Sequence, residues 1–517
     1  MGGESRVDWG MRVVLLLLLT LSVVTAEFRA GASAVDISPP KLPVIQNGGF
    51  IESTLSIVLD TLHARAIVLD DGNSMIAIVV VDSCMMPREL IDKAKDLAVA
   101  ETGIRKDRIL VSATHTHSAP SVMNHTLGSR GDPHYMAFLP GKIAEAIRLA
   151  KANLQPAQVG SAKIDASDLT ANRRWIMHPD KLSKDPFGAL TVRANMHPGH
   201  NNPNAMGPSG PIDPWLSMLS IQTREGKPLA LLANFSMHYF SGHAGVSSDY
   251  FGRFAKEMGK RLAPDDSTFV AALSQGTSGD LFWADYSRDK RRAWNLEEYT
   301  NRLADKAMTA VETISHRSDL PLRMAEKRIE LAQRQPSEER LQWAQKLVDE
   351  MGDRVVAKNR PEVYAQHAFY RKENPSREVV LQSIGIGDLT INALPNEVYA
   401  ITGLKLKAGQ GERTVFNVSL ANGASGYIPP KEQHALGGYT TWPARTAGLE
   451  VGAERRIVEE LGLLAQRPLD MVEPPSMYSK AIGASPSLID QWRMGELDLG
   501  DGFSSGVAPG VPGVSSS

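Results

Sequence analysis

Ile109-Leu110-Val111-Ser112-Ala113-Thr114-His115-Thr116-His117-Ser118-Ala119-Pro120 reads as a short apolar strand that runs into two histidines, one residue apart, and then breaks. On an extended chain the side chains at i and i+2 leave from the same face, so His115 and His117 are expected to point into one space at the strand's end. Neutral imidazole is the commonest protein ligand for zinc, and such a pair needs only one or two more ligands to hold an ion. Two readings stay open for the pair alone, a metal site and a hydrogen-bonded pair.

The flanks place this strand in a layered fold. His63 to Leu69, the turn Asp70-Asp71-Gly72-Asn73 and Met75 to Val81 read as a β-hairpin. Arg88 to Ala100 has helical spacing closed by Gly103, and His134 to Ala152 is a second helix stopped by Pro156. Alternating strands and helices predict an α/β protein with a mixed β-sheet covered by helices, in one large catalytic domain over residues 28–465. In such sheets active sites favour the carboxyl ends of strands, where the His-x-His pair falls.

The theme recurs downstream. Pro228 to His238 is an apolar strand ending in a histidine, and Ser247-Ser248-Asp249 reads as the N-cap of a helix from Tyr250 to Leu262. Phe269 to Leu273 is a buried strand entering the small polar loop Ser274 to Asp280, which can approach a ligand closely. A hairpin from Val379 to Leu394 ends in Pro395-Asn396-Glu397, and a strand from Val415 to Leu420 enters Asn422 to Tyr427. Tyr439 sits in the loop before a last helix, Val451 to Ala465, while Asn295 to His316 and Pro336 to Glu373 read as charged outer helices. Pro179 to Pro214 has no period and is long for a plain connection, so it is expected to form an active-site wall or lid, with His197 and His200 as surface loop residues.

Composition bounds the rest. With 517 residues, 42% hydrophobic, 22% charged and a net charge of −2, neither a disordered chain nor a polybasic nucleic-acid binder is favoured. Residues 1–26, with an apolar run from Val13 to Val24 and small residues at Thr25 and Ala26, read as a signal peptide, hence a secreted or periplasmic protein. The single cysteine, Cys84, forbids an intramolecular disulfide and a multi-cysteine zinc site, and reads as a small buried hydrophobe. Any metal must therefore be held by histidine, carboxylate or tyrosine. Residues 466–517 read as a partly disordered tail.

Taken in order, Thr114-His115-Thr116-His117-Ser118, Asn172-Arg173, Asn234-Phe235-Ser236-Met237-His238, Ser247-Ser248-Asp249, Pro395-Asn396-Glu397 and the pair Tyr427 and Tyr439 resemble the neutral/alkaline non-lysosomal ceramidase family across about Phe28 to Leu463. The resemblance implies a zinc-dependent hydrolase of a linear N-acyl amide, ceramide or a related lipid, in which His115, His238, Glu397 and Tyr427 hold Zn2+. It implies that His117, Arg173 and Tyr439 bind the amide and stabilise charge on its carbonyl oxygen. Two departures stand out. The position of the family's catalytic serine is Phe282, with Thr277 or Ser278 as alternative hydroxyls, so a hydrolase of another amide or ester, or an inactive zinc- or ligand-binding relative, is the competing reading. The chain after Leu463 is also too short for the immunoglobulin-like domain the family usually adds, which takes about 100 residues. The expected partner is a lipid or N-acylated small molecule, with peripheral membrane contact and oligomeric state left open.

Overall fold

Met75–Val81 shows how this chain builds its layers. Ala77, Val79 and Val81 pack on one side against two helices, and Ile76, Ile78 and Val80 pack on the other into a central core. This is the two-residue period of a strand buried on both faces. The computed structural model describes residues 27–466 apart from residues 125 and 412. The expected signal peptide, and the tail beyond residue 466, lie outside the described residues.

Three units of one topology follow each other. The first comprises β1 (Arg29–Asp36), β2 (His63–Asp70), β3 (Met75–Val81), α1 (Arg88–Thr102), β4 (Ile109–Ala113) and α2 (Pro133–Ala152). The second comprises β5 (Gln155–Asp165), β6 (Trp215–Thr223), β7 (Pro228–Phe235), α3 (Asp249–Leu262), β8 (Val270–Gln275) and α4 (Leu296–Val311). The third begins with β9 (Leu322–Ala332), inserts the helical pair α5 (Glu338–Met351) and α6 (Arg360–Glu373), and continues with β10 (Ser376–Ile386), β11 (Leu389–Ala393), α7 (Ala400–Ala408), β12 (Thr414–Val418) and α8 (Ala453–Gln466).

In each unit the first three strands are antiparallel neighbours, and the fourth pairs in parallel with the third after a helical crossover. A parallel pair needs such a crossover, because a two-residue turn can only return the chain antiparallel. The first two sheets join through Arg29↔Pro156 and Ala30↔Gln155 into an eight-stranded sheet.

The inner faces of all three sheets meet in one core, with Ile78 and Leu110 from the first, Leu219 and Leu232 from the second, and Ile391 and Phe416 from the third. Fully burying each such side chain stabilises by roughly 1.5–3 kcal/mol. The outer faces are covered by α1 and α2, by α3 and α4, and by α8. The expected α/β class with a mixed sheet under helices is what the chain forms.

Two local expectations are corrected. The stretch Pro179 to Pro214 is not structureless: Ala194–Met196 and Ala205–Pro208 flank Arg174–Met177 in a small antiparallel sheet, and Ser183–Lys184 pairs with Leu190–Val192. Of the expected cap Ser247-Ser248-Asp249, Ser248 does stand at the N-cap, though its side chain bonds no N–H there, while Asp249 is the first residue of α3, at φ +52°, with its carboxylate accepting the N–H groups of Phe240 and Tyr250 at 3.0 and 2.6 Å. It ties α3 to the segment just after His238.

Candidate metal and active site

Four expected ligands approach one point from all three units. His115 follows β4, His238 follows β7 and Glu397 follows β11, each beyond a strand's carboxyl end. Tyr427 begins the short strand Tyr427–Ile428, which pairs in parallel with Glu397–Val398. The edges of the three sheets hold the loops in register: the Ala113 N–H donates to Leu420 O at 3.1 Å, and the Ser419 N–H to Gln275 O at 2.9 Å.

His115 and His117 share one space, as expected, but not by strand alternation. The strand stops at Ala113, and His115 sits at φ +79°, held there by its N–H to Ser83 O at 2.9 Å. A side chain rarely adopts this left-handed backbone, and where it does the surrounding structure must enforce it. The turn brings His117 Nε2 to 3.2 Å from His115 Nε2.

His115 Nε2 lies 3.0 Å from His238 Nε2 and 3.3 Å from Glu397 Oε2, and His238 Nε2 lies 3.6 Å from the same oxygen. On the far side of each ring, Nδ1 of His115 is 2.8 Å from Cys84 O and Nδ1 of His238 is 3.2 Å from Ser278 O. A carbonyl only accepts, so each Nδ1 carries a proton and each Nε2 is the atom left to face a metal. With both Nε2 atoms unprotonated, two lone pairs 3.0 Å apart beside a buried carboxylate repel one another, and either a proton on His115 or a metal cation among them relieves this. Glu397 Oε2 is buried without a hydrogen bond, which is the acceptor such a cation would satisfy. Ring N–H groups fixed on carbonyls are also how metal-binding histidines are oriented. Two imidazoles, a carboxylate and a phenol therefore fit zinc.

Without an ion, a proton takes that place: burial opposes ionisation of His115, but Cys84 and then Glu397 push its imidazole well above the ordinary range, and a bound cation would displace that proton. Burial opposes ionisation of Glu397, but His115 and a hydrogen bond from Tyr427 hold its carboxyl below the usual range. Burial, then Arg173, keeps His238 well below the ordinary imidazole range, and burial, then His115 and Arg173, does the same for His117. Both rings are thus neutral at neutral pH. Burial, then Glu397, pushes the Tyr427 phenol well up.

Around the centre stand the other expected residues. Arg173 is 2% exposed, and its Nη2 donates to Gly279 O at 2.9 Å and Tyr427 Oη at 3.3 Å and lies 3.1 Å from His238 Nε2. The half-buried Tyr439 ring meets Tyr427 and Phe50 edge-on at 5.6 Å each. His117 stacks on Tyr239 at 3.7 Å, and Tyr239 in turn meets Phe282 at 5.6 Å.

The two alternative hydroxyls differ: that of Thr277 is buried without a hydrogen-bond partner, and that of Ser278 is engaged. Thr277 packs against α7 so closely that a Cβ on Gly403 would fall 2.0 Å from its Oγ1, and the Ser278 hydroxyl is taken by Gln275. Cys84 does lie beside the centre, its Sγ 3.8 Å from His115 Nδ1, but that is the ring face turned away from Glu397, so one ion cannot use both.

Sequence reasoning missed several neighbours. His197 is not a bystander: its N–H donates to Arg173 O at 2.8 Å, its Nδ1 is 2.7 Å from Tyr286 Oη, and its ring meets Phe282 at 4.9 Å. Its loop carries no strand-end pattern to announce this. Asp280 accepts the Ala400 N–H and the Asn172 amide, both at 2.8 Å, and joins α7 to the strand before Arg173. Gly48, at φ +96°, lies against His117, where a Cβ would fall 2.5 Å from Nδ1.

Known proteins share this architecture. The fold is similar to that of neutral ceramidase from Pseudomonas aeruginosa, with a TM-score of 0.62 at 18% identity over 88% of this chain and 77% of that one. A ceramidase solved in complex with C2 gives a TM-score of 0.64 at 17% identity, over 87% of this chain and 77% of that one. By sequence, the curated neutral ceramidase of Pseudomonas aeruginosa is 25% identical over 186 residues, which is 34% of this chain and 24% of that protein. The aligned stretch thus spans about a quarter of that relative's length. The family model described as neutral/alkaline non-lysosomal ceramidase, N-terminal, matches residues 30–283. Over residues 30–283 the chain thus matches the N-terminal model of the neutral/alkaline non-lysosomal ceramidase family, and over most of the described residues its fold is that of the solved ceramidases.

Proposed function

We propose that this protein is an exported zinc-dependent hydrolase that cleaves an N-acyl amide, ceramide or a related lipid. The observation that carries the reading is the convergence of His115 Nε2, His238 Nε2 and Glu397 Oε2, with both Nδ1 protons already committed to carbonyls. Zinc held there, with Tyr427 as the fourth ligand, supplies Lewis acidity and a water whose pKa is lowered to about 7.

The chain's own residues do the rest. Arg173 sets a guanidinium beside the centre before substrate arrives, so negative charge developing on an amide carbonyl oxygen there meets a preorganised donor. His117, neutral and stacked on Tyr239, is placed to take up and return a proton at Nε2. Tyr439 offers a phenolic O–H from the opposite wall. The match to the ceramidase family model over residues 30–283 and the likeness to the solved ceramidase complexed with C2 support a lipid-like acyl substrate.

The second reading is favoured by Phe282, whose half-buried ring occupies the position where the resemblance expects a hydroxyl, with the Ser278 hydroxyl engaged by Gln275 and Thr277 packed against α7. It makes the protein a hydrolase of a different amide or ester, or a binding protein. One experiment separates these. The purified protein is assayed for fatty-acid release from ceramide, beside N-acyl amino acids and simple esters, before and after chelation and zinc return. Ceramide turnover that chelation abolishes and zinc restores is the expected result. Turnover confined to other substrates selects the altered hydrolase, and no turnover in the zinc-loaded protein selects the binding protein. Turnover that survives complete metal removal ends the zinc reading.

A further inference from the structure

The loop that brings Tyr439 to Tyr427 has a second side. Behind it lies a cavity of about 350 Å3, whose wall includes Phe187, Arg340, Arg371, Thr441 and Trp442 and none of the His115, His238, Glu397 and Tyr427 set. Its charge is cationic and compensated only at a distance, by Asp185 and Glu339 acting on Arg340. Arg371, on α6, is 2% exposed, yet among the described residues no carboxylate lies within ion-pairing distance of it. Its guanidinium donates to the carbonyl of Arg334, and its Nε has no partner. Arg340, in the first turn of α5, lies over the Phe187 ring at 3.3 Å, again with no paired carboxylate among the described residues.

The acid in the wall, Asp185, attracts Arg340 without pairing with it, and among the described residues no carboxylate acts on Arg371. Asp185 Oδ1 accepts the N–H groups of Phe187 and Ala189, and Oδ2 the Thr191 hydroxyl. Arg334, next to Arg371, spends its donors on the carbonyls of Leu449 and Ala447. The N-terminus of α5, a fourteen-residue helix capped by Ser337, opens on the same wall through Pro336 and Ser337, with the exposed Glu338 and Glu339 in its first turn.

Burying a guanidinium without a counter-charge is costly, and a bound anion removes the cost. Burial, then repulsion from Arg334 and Arg340, draws Arg371 down to about 10. A planar guanidinium fork suits the paired oxygens of phosphate, and a helix N-terminus adds its positive dipole end.

We propose that this cavity binds a phosphate-type oxyanion, free or as the head group of a phosphorylated lipid, held between Arg371 and Arg340 at the N-terminus of α5. The site goes beyond the hydrolytic reading and stands without it.

The test is calorimetric titration of the full chain with inorganic phosphate at constant ionic strength in chloride, for the native protein, R340A and R371Q. The expected result is saturable binding of one phosphate that R340A weakens by about tenfold or more, as for the loss of one charge-assisted hydrogen bond. R340A removes a half-buried surface side chain, so it keeps the test intact if R371Q fails to fold. A second arm sediments the protein with phosphatidylcholine vesicles with and without phosphatidic acid. R340A-sensitive binding to the acidic vesicles alone assigns the lipid head group, and R340A-sensitive binding of soluble phosphate assigns the free ion. Absence of both overturns the proposal, as does phosphate binding of native strength in R340A, which would place the anion elsewhere, such as the histidine centre.

Discussion

Gly48 carries no reactive atom, yet it sets where His117 stands. Its φ of +96° and the 2.5 Å that would separate an added Cβ from His117 Nδ1 mean that alanine there must strain the loop and push the imidazole off Tyr239. Misplacing a catalytic group by about 1 Å can cost roughly 100-fold. Gly48→Ala is therefore expected to lower kcat by tenfold or more while zinc content stays that of the native protein, measured by steady-state kinetics beside metal analysis. If both fall together, the glycine shapes the metal centre rather than His117. At this scale the histidines, Glu397, Tyr427, Arg173 and Tyr439 were all nameable from the sequence, because each stands near a strand end or in an ordered motif. Gly48 and His197 were not. A glycine's close approach and a loop histidine's partner are tertiary facts with no local period to betray them.

Among the elements, α3 starts where the sequence places it, with Ser248 at the N-cap, but Asp249 has a role its composition does not announce. Ser247-Ser248-Asp249 has the composition of a helix cap, but the Asp249 carboxylate is fully enclosed and serves the N–H groups after His238 instead. Burial pushes its carboxyl up to about 7, against those N–H donors. Between about pH 4, where an unfolded aspartate ionises, and pH 7, the folded state keeps a proton that the unfolded state has lost. This acid therefore costs stability as pH rises through that window. Asp249→Asn lacks the term, so the melting temperature of the variant minus that of the native protein should rise between pH 4 and pH 7 and then level off. A difference that is flat or falls over that range would show the carboxylate to be ionised in the fold. The other elements were legible for a plain reason: the hairpin β2–β3, helices α1, α2 and α4 and strands β7 and β8 carry their period or their apolar run intact.

At the scale of the whole molecule, the described residues form a threefold repetition of strand, strand, strand, helix, strand, helix, wrapped so that the strands of three units share one core and three sets of loops share one centre. No internal repeat shows in the sequence, because the third unit carries the α5–α6 insertion and the units match in topology rather than in residue identity. Shared core and shared centre make the units thermodynamically inseparable. Calorimetry of the full chain should therefore give one cooperative transition, and chelation should lower its midpoint, since an ion bound only by the folded state stabilises by RT ln(1 + [L]/Kd). Two resolved transitions, one insensitive to chelation, would mean that a unit stands apart from the centre. The central claim is that His115, His238, Glu397 and Tyr427, drawn from all three units, hold one zinc ion. Its most direct test is the zinc stoichiometry of the purified native protein and of His238→Ala after dialysis against a mild chelator. The account predicts close to one zinc per native chain and nearly none in the variant. A native protein without zinc, or a variant that keeps it, would contradict the account.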